Sequence, residues 1–222
     1  MRFLDHRHAG QQLAARLVEW AAHRDLADLL VVALPRGGVP VAAEVARALG
    51  APLDIVVVRK IGAPGNPETG IGAIAGDEPP LYDHRALRML SLSEEDLADD
   101  VARERAELRR REGVYRRGRP APAVRGRSVI VVDDGLATGV TARAALRHLR
   151  AQGPAHLVLA VPVCAPDAAA AVREEADDLV CLHRPESFWS VGEWYEEFAQ
   201  VSDDEVISTL RRPGASPEGS NR

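Results

Sequence analysis

The sequence predicts a mainly parallel α/β sheet enclosed by helices. Short Val-rich runs at 29–35, 54–60, 128–134, 156–163 and 178–182 are apolar at nearly every position. That pattern suits strands buried on both faces of a parallel sheet. Helical segments stand between most of these runs, the alternation that builds a doubly wound fold. The chain has 222 residues, 46% hydrophobic and 27% charged. A chain of this size buries about 70% of its unfolded surface and needs no disulfide or metal staple.

Taken in order, Leu13, Leu17 and Trp20 recur at helical spacing within residues 8–22. LLVVALP (29–35) reads as the first buried strand. Pro40 suits the first turn of a helix that runs to Gly50, a C-cap. DIVVVRK (54–60) is the second strand. The following IGAPGNPETGIGA is too rich in Gly and Pro for regular structure in its first half. IGAIA (71–75) is a short strand, and with no room for a crossover helix before it, it is expected to be antiparallel to its neighbour. A polar helix spans 91–112, opened by a capping-box pair, Ser93 and Asp96. Its tail is crowded with Arg103, Arg105, Arg109, Arg110, Arg111, Arg116, Arg117 and Arg119, interleaved with Glu104, Glu107 and Glu112, and reads as a solvated face, with an assembly interface or an anion patch as the alternatives. SVIVVDD (128–134) is the clearest strand, and the loop after it feeds a helix ending near Ala151. HLVLAVPV (156–163), a helix over 166–176, and DLVCL (178–182) complete the core. One domain is expected over residues 1–212, with the tail from Pro213 disordered.

The charge balance, 28 − 33 = −5, argues against a protein that coats nucleic acid. Cys164 and Cys181 are expected to be reduced core thiols, too few for a disulfide framework or a four-ligand zinc site. The N-terminus lacks an apolar signal region and no run approaches a membrane span, so a soluble cytoplasmic protein is expected. Lys60 is the sole lysine.

In an open α/β sheet, ligands bind beyond the carboxyl ends of the strands. Three strand ends here carry chemistry. Leu34-Pro35-Arg36-Gly37-Gly38 offers glycines that let backbone approach an anion, a helix N-terminus, and a planar guanidinium. Arg59-Lys60 places two cations where the second strand leaves the core. Asp133-Asp134-Gly135-Leu136-Ala137-Thr138-Gly139-Val140-Thr141 combines small residues and hydroxyls, a phosphate cradle, with two carboxylates that would repel phosphate. The carboxylates must therefore meet sugar hydroxyls or Mg²⁺. Neither GxxxxGK[ST] nor GxGxxG is present. The ligand thus needs one phosphate, hydroxyls, and a second anionic group.

VIVVDDGLATGVT (129–141) resembles the phosphoribosyl pyrophosphate (PRPP) motif of type I phosphoribosyltransferases, with LPRGG and VRK standing where that family has its pyrophosphate loop and neighbouring basic residues. The resemblance covers roughly residues 28–183. It implies a three-layer α/β/α fold with a six-stranded sheet in order 3-2-1-4-5-6, strand 3 antiparallel, and a small hood from the N-terminus and about 184–200. It also implies that Asp133 and Asp134 bind the ribose hydroxyls directly or through Mg²⁺ and water, and that Gly135 to Thr141 hold the 5-phosphate. Arg36, Gly37, Gly38 and Lys60, with Arg59 beside them, would receive pyrophosphate. Arg36, Lys60 and the acid pair would then carry catalysis: displacement of pyrophosphate from C1 by a small nitrogenous acceptor. Residues 61–70 would form a lid.

Gly135 stands where that family commonly has an aliphatic residue. Ala137 stands where its hypoxanthine-guanine branch has an Asp, which counts against purine salvage of that type. Five of the nine aromatics, Phe188, Trp189, Trp194, Tyr195 and Phe198, fall in the hood. They read as a mini-core or a platform for a flat acceptor, with Phe3 joining them. A homo-oligomer is expected, without membrane or nucleic-acid partners. The alternative function is a non-catalytic PRPP- or nucleotide-binding regulator, supported only by the Arg-rich segment 103–119.

Overall fold

The computed structural model describes residues 2–211, with the side chains of 67–69 outside the description. The elements run α1 (His6–Ala21), β1 (Leu30–Ala33), α2 (Gly38–Leu49), β2 (Leu53–Ile55), β3 (Val58–Ala63), β4 (Asn66–Ala75), β5 (Leu81–Tyr82), α3 (His84–Leu90), α4 (Ala98–Arg116), β6 (Ser128–Val132), α5 (Val140–Ala151), β7 (His156–Val163), α6 (Pro166–Val172), β8 (Asp178–His183) and α7 (Asp203–Leu210). The expected disordered tail lies outside the described residues. No helix among them is long and apolar enough to cross a membrane.

The central sheet has five parallel strands in order β2-β1-β6-β7-β8. Successive residues of its strands feed two separate cores. Val31, Ala33, Ile130 and Val132 join Leu13, Leu17, Val41 and Val45 of α1 and α2 on one face. Leu30, Val32, Val129 and Val131 join Leu146 and Leu149 of α5 on the other. That alternation makes the three-layer α/β/α arrangement and explains why these strands show no polar stripe.

The sheet departs from the six-stranded expectation at its edge. DIVVVRK is not one strand. β1 ends at Ala33, paired with Ile55, and Val56 N makes one further bond to Ala33 O at 3.1 Å. Beyond that the chain has no partner in the sheet. It resumes as β3, which pairs with β4, and β4 with β5, in a separate antiparallel sheet. The antiparallel expectation for 71–75 holds, because Val58 opposes Ala75 and Lys60 opposes Ala73. The 61–70 stretch, however, is a hairpin rather than irregular chain. Ala63 pairs with Asn66 around Pro64-Gly65, with Gly65 at φ +77°, the residue pair favoured by a type II turn. Ladder irregularities around Gly62 let the glycine-rich strands bend.

Helix boundaries differ in places. The Ser93–Asp96 cap forms reciprocally, with Ser93 N donating to Asp96 Oδ2 at 2.9 Å and Asp96 N to Ser93 Oγ at 3.3 Å. It opens a 3₁₀ turn at Glu95–Leu97, and α4 follows, ending at Arg116 rather than 112. Helix α6 is four residues shorter than expected, ending at Val172 rather than 176. Helices α3 and α7 were not expected.

The Arg-rich segment is divided: Arg103, Arg110 and Arg111 pair with acids of α4 itself, while Arg105 and Arg116, with Arg119 just beyond the helix, tie distant elements. Arg105 donates to the carbonyls of Gly76 and Glu78 at 2.7 and 2.9 Å, and Arg116 to Ile55 O at 2.7 Å while pairing with Asp54. Arg119 donates to Leu210 O at 3.2 Å. The helix thereby fastens β2, the β4–β5 turn and α7 together. Cys164 and Cys181 are free, Cys164 fully buried and Cys181 half-buried.

Candidate active site

Strands β1 and β6 lie side by side from Leu30↔Val129 to Ala33↔Val132. From β1 the chain moves to β2 on one side, and from β6 to β7 on the other. Their carboxyl ends therefore flank a switch-point crevice. The loop 34–38 and the loop 133–139 open into it together, tied by Leu34 N donating to Val132 O at 2.9 Å.

Gly37 and Gly38 are needed for space between these loops. A Cβ on Gly38 would sit 2.7 Å from Val132 O and 3.0 Å from the Asp133 Cα. A Cβ on Gly37 would sit 2.7 Å from the Asp134 Cγ, and closer still to its Oδ2. Gly37 has φ −59°, so conformational freedom is not the reason. The two glycines thus bring the backbone of the 36–38 loop directly against the acid pair.

Asp133 has its carboxyl held well above the usual carboxylate range, first by burial and then by the charge of Asp134. Its Oδ1 accepts from Asp134 N at 2.9 Å. Asp134 is surrounded by hood residues the sequence analysis did not single out for this role. Tyr195 Oη donates to its carbonyl at 2.6 Å, and His6 Nε2 stands 3.5 Å from its Oδ2. Burial, then the two acids, push the Tyr195 hydroxyl pKa up. Tyr195 and Phe3 form the expected mini-core, pairing backbone to backbone with rings 5.4 Å apart. Trp189 stays outside it, 84% exposed.

The 135–141 loop presents its small residues outward. Leu136 is buried and anchored, N to Val163 O at 2.9 Å and O from Ala165 N at 2.8 Å. Ala137 and Thr138 are exposed above it. Gly139 caps α5 at φ +75° with no side-chain cap, so the first-turn amides of this 12-residue helix remain available to an anion. Val140 and Thr141 begin that helix. The unusual Gly135 has a packing reason: a Cβ there would meet Val191 Cγ1 at 2.7 Å and Val163 Cγ1 at 3.0 Å. The hood sits directly on this loop.

The basic residues divide. Arg36 reaches α7, its Nη1 3.5 Å from Asp203 Oδ1, while Tyr115 Oη donates to the same oxygen at 2.7 Å. Burial and the Asp203 hydrogen bond push the Tyr115 pKa up to about 12. Arg59 is engaged by Glu104 of α4 at 2.7 Å. Lys60, next along the strand, leaves on the other side and is exposed, its chain lying over Gly70. Arg59 and Lys60 thus belong to the hairpin sheet, and the structure joins into one crevice only the 36–38 and 133–141 groups.

The doubly wound sheet thus brings two glycine-containing loops and an acid pair together at its switch point. The chain belongs to the phosphoribosyl transferase domain family, which matches residues 4–205. It is 43% identical over 210 residues to the Mycobacterium tuberculosis protein named "Putative phosphoribosyl transferase Rv0571c", covering 95% of this chain and 46% of that one. The chain therefore spans about half the length of the curated relatives it matches. The crystal structure of TT1426 from Thermus thermophilus shares 44% identity and a TM-score of 0.77, covering 95% of this chain and 98% of that one. AQ2163 from Aquifex aeolicus, 11% identical with a TM-score of 0.53 over 84% of this chain and 78% of that one, shares the fold alone.

Proposed function

We propose that this domain transfers the phosphoribosyl group of PRPP to a small nitrogenous acceptor and releases pyrophosphate. The observation that carries this reading is the direct abutment of Gly37-Gly38 on Asp133-Asp134 at the ends of adjacent strands. One molecule can then span both loops only if it carries an anion at each end and hydroxyls between, as PRPP does.

The 5-phosphate is bound by the open amides at Thr138–Val140, with the Thr138 and Thr141 hydroxyls beside them. The ribose hydroxyls meet Asp133 and Asp134. Pyrophosphate lies on Arg36 and the amide of Gly37, the Gly38 amide being held by Leu34 O at 3.1 Å. As the C1–O bond to pyrophosphate breaks and the C1–N bond forms, positive charge grows on the ribose and negative charge on the leaving group. With Arg36 turned from Asp203 to the leaving group and the acid pair on the sugar, both developing charges are opposed by fixed charge. Lys60 stands outside this crevice, on the hairpin sheet, and would reach the pyrophosphate only if the hairpin closed over the site and kept water from the reacting carbon. The acceptor loses its proton to solvent or to a group of its own.

Magnesium fits the donor set. Two crowded carboxylates, one with its proton held by burial and by its neighbour's charge, are relieved by a hard cation. Among the described residues no cluster of three or more metal-ligating side chains exists, so the substrate's own oxygens would complete the shell. Held by Asp133 and Asp134, Mg²⁺ would supply charge neutralisation to the leaving pyrophosphate.

The test incubates the protein with PRPP and Mg²⁺ against nitrogenous bases and amines, reading pyrophosphate. Acceptor-dependent release is expected. PRPP binding without release for any acceptor would favour a regulatory domain, and no binding would end the proposal.

A further inference from the structure

Among the buried polar groups that the mechanism leaves without a task, His6 lies nearest the acid pair. His6 is 7% exposed, the first residue of α1, and fixed there by the N-cap, where Asp5 accepts from His8 N at 2.7 Å. Its ring lies 5.0 Å from Tyr195 and 5.0 Å from Phe198. The Nε2 atom is buried and makes no hydrogen bond, yet it is aimed at Asp134 Oδ2, 3.5 Å away. An aromatic slot alone would be filled as well by phenylalanine. Only a histidine puts a polar atom at its inner end, and an orphaned buried polar atom is costly unless ligand binding completes it.

Asp134 is constrained from three directions. Tyr195 Oη grips its carbonyl, Gly37 crowds its carboxylate, and His6 faces the oxygen on the hood side. We propose that His6 is a positioning residue for Asp134. With its proton on Nε2, it donates to Oδ2 when the sugar is seated and so turns the other oxygen towards the ribose hydroxyls. A separation of 3.5 Å before substrate arrives, tightening afterwards, is how such contacts behave in free enzymes. The inference rests on the phosphoribosyl reading above. It makes the hood part of the sugar site as well as a cover: Phe198, 46% exposed, stacks on the same ring, so whatever touches Phe198 also touches the support of Asp134.

Two substitutions separate ring from donor. His6→Phe keeps the stack and removes the N–H, while His6→Gln restores a donor near the Nε2 position. Calorimetry with ribose 5-phosphate plus Mg²⁺, and separately with inorganic pyrophosphate, reads the two ends of the site. His6→Phe should weaken ribose 5-phosphate about tenfold and leave pyrophosphate unchanged. His6→Gln should recover most of the loss. In the wild-type protein, ¹⁵N spectra of the His6 ring should show a protonated Nε2 in the ribose 5-phosphate complex, a readout that needs no variant. Unchanged affinity in His6→Phe, equal loss at both ends, or an unprotonated Nε2 in the complex would overturn the role. Wild-type protein that binds neither ligand would remove the phosphoribosyl reading and this inference with it. Normal wild-type binding with an indifferent His6→Phe would remove this inference alone.

Discussion

Replacing Gly37 by alanine tests whether the two loops form one site. The new Cβ would overlap Asp134 Oδ2 outright and stand 2.7 Å from its Cγ, so the carboxylate group must retreat by roughly 1 Å or more to reach ordinary contact. The backbone at φ −59° accepts alanine without strain, so the effect is confined to that displacement. Asp134 is half-buried and sits between His6 and Gly37, which limits where it can go. Moving one side chain off its preferred position costs about 1 kcal/mol, a melting shift of roughly 2–4 °C for a chain of this size. A misplacement approaching 1 Å at a reacting group costs about 100-fold, or roughly 2.7 kcal/mol of transition-state stabilisation. Gly37→Ala should therefore melt within a few degrees of wild type but bind PRPP and Mg²⁺ about 100-fold more weakly by calorimetry. Retained affinity, with the same small melting shift, would refute the claim that Asp134 touches the ligand.

Other outcomes follow from the same geometry. Gly113 lies exposed within α4 with nothing within 4 Å of a Cβ, so Gly113→Ala should raise stability by about 0.5–1 kcal/mol in urea melts and leave PRPP binding unchanged. Because Asp133 holds its proton above the usual carboxylate range in the free protein and is ionised against Mg²⁺ and the sugar, binding should release protons and tighten as pH rises. Calorimetry in buffers of different ionisation enthalpy reads this, and net proton uptake would contradict it. The Glu107 carboxyl is lowered from 4.5 to about 2, first by the Arg110 hydrogen bond and then by Arg111. Its contribution is full above 4.5 and is lost as pH falls towards 2, amounting to roughly 0.2–1 kcal/mol for a surface cluster. Glu107→Gln should accordingly narrow the stability gap between pH 7 and pH 3.

Much of this architecture is legible in the chain because its strands are buried on both faces. Runs such as SVIVVDD and HLVLAVPV cannot be surface structure, and their ends carry the site. What was not legible depends on distant partners. The break between Ile55 and Val58 is set by where β1 stops, and no residue of DIVVVRK announces it. The hairpin over 58–75 has the composition of a loop because glycines let its strands bend. Helix α7 did leave a signal: Ser202 and Glu205 form a full capping box, spaced as the motif requires. That signal would have pointed to Asp203, which meets Arg36. His6 left none, since its partner Asp134 is brought to it only by the packing of α1 against the sheet. Arg59 shows the opposite failure. A cation at a strand end looks like a ligand group, yet strand alternation turns it towards Glu104.

The most direct test is a crystal structure of the protein with PRPP and Mg²⁺. The 5-phosphate should lie on the amides at Thr138–Val140, the ribose hydroxyls within hydrogen-bond reach of Asp133 and Asp134, and the pyrophosphate on Arg36 to Gly38. A sugar phosphate bound elsewhere, or a pyrophosphate directed away from Gly37, would contradict the account.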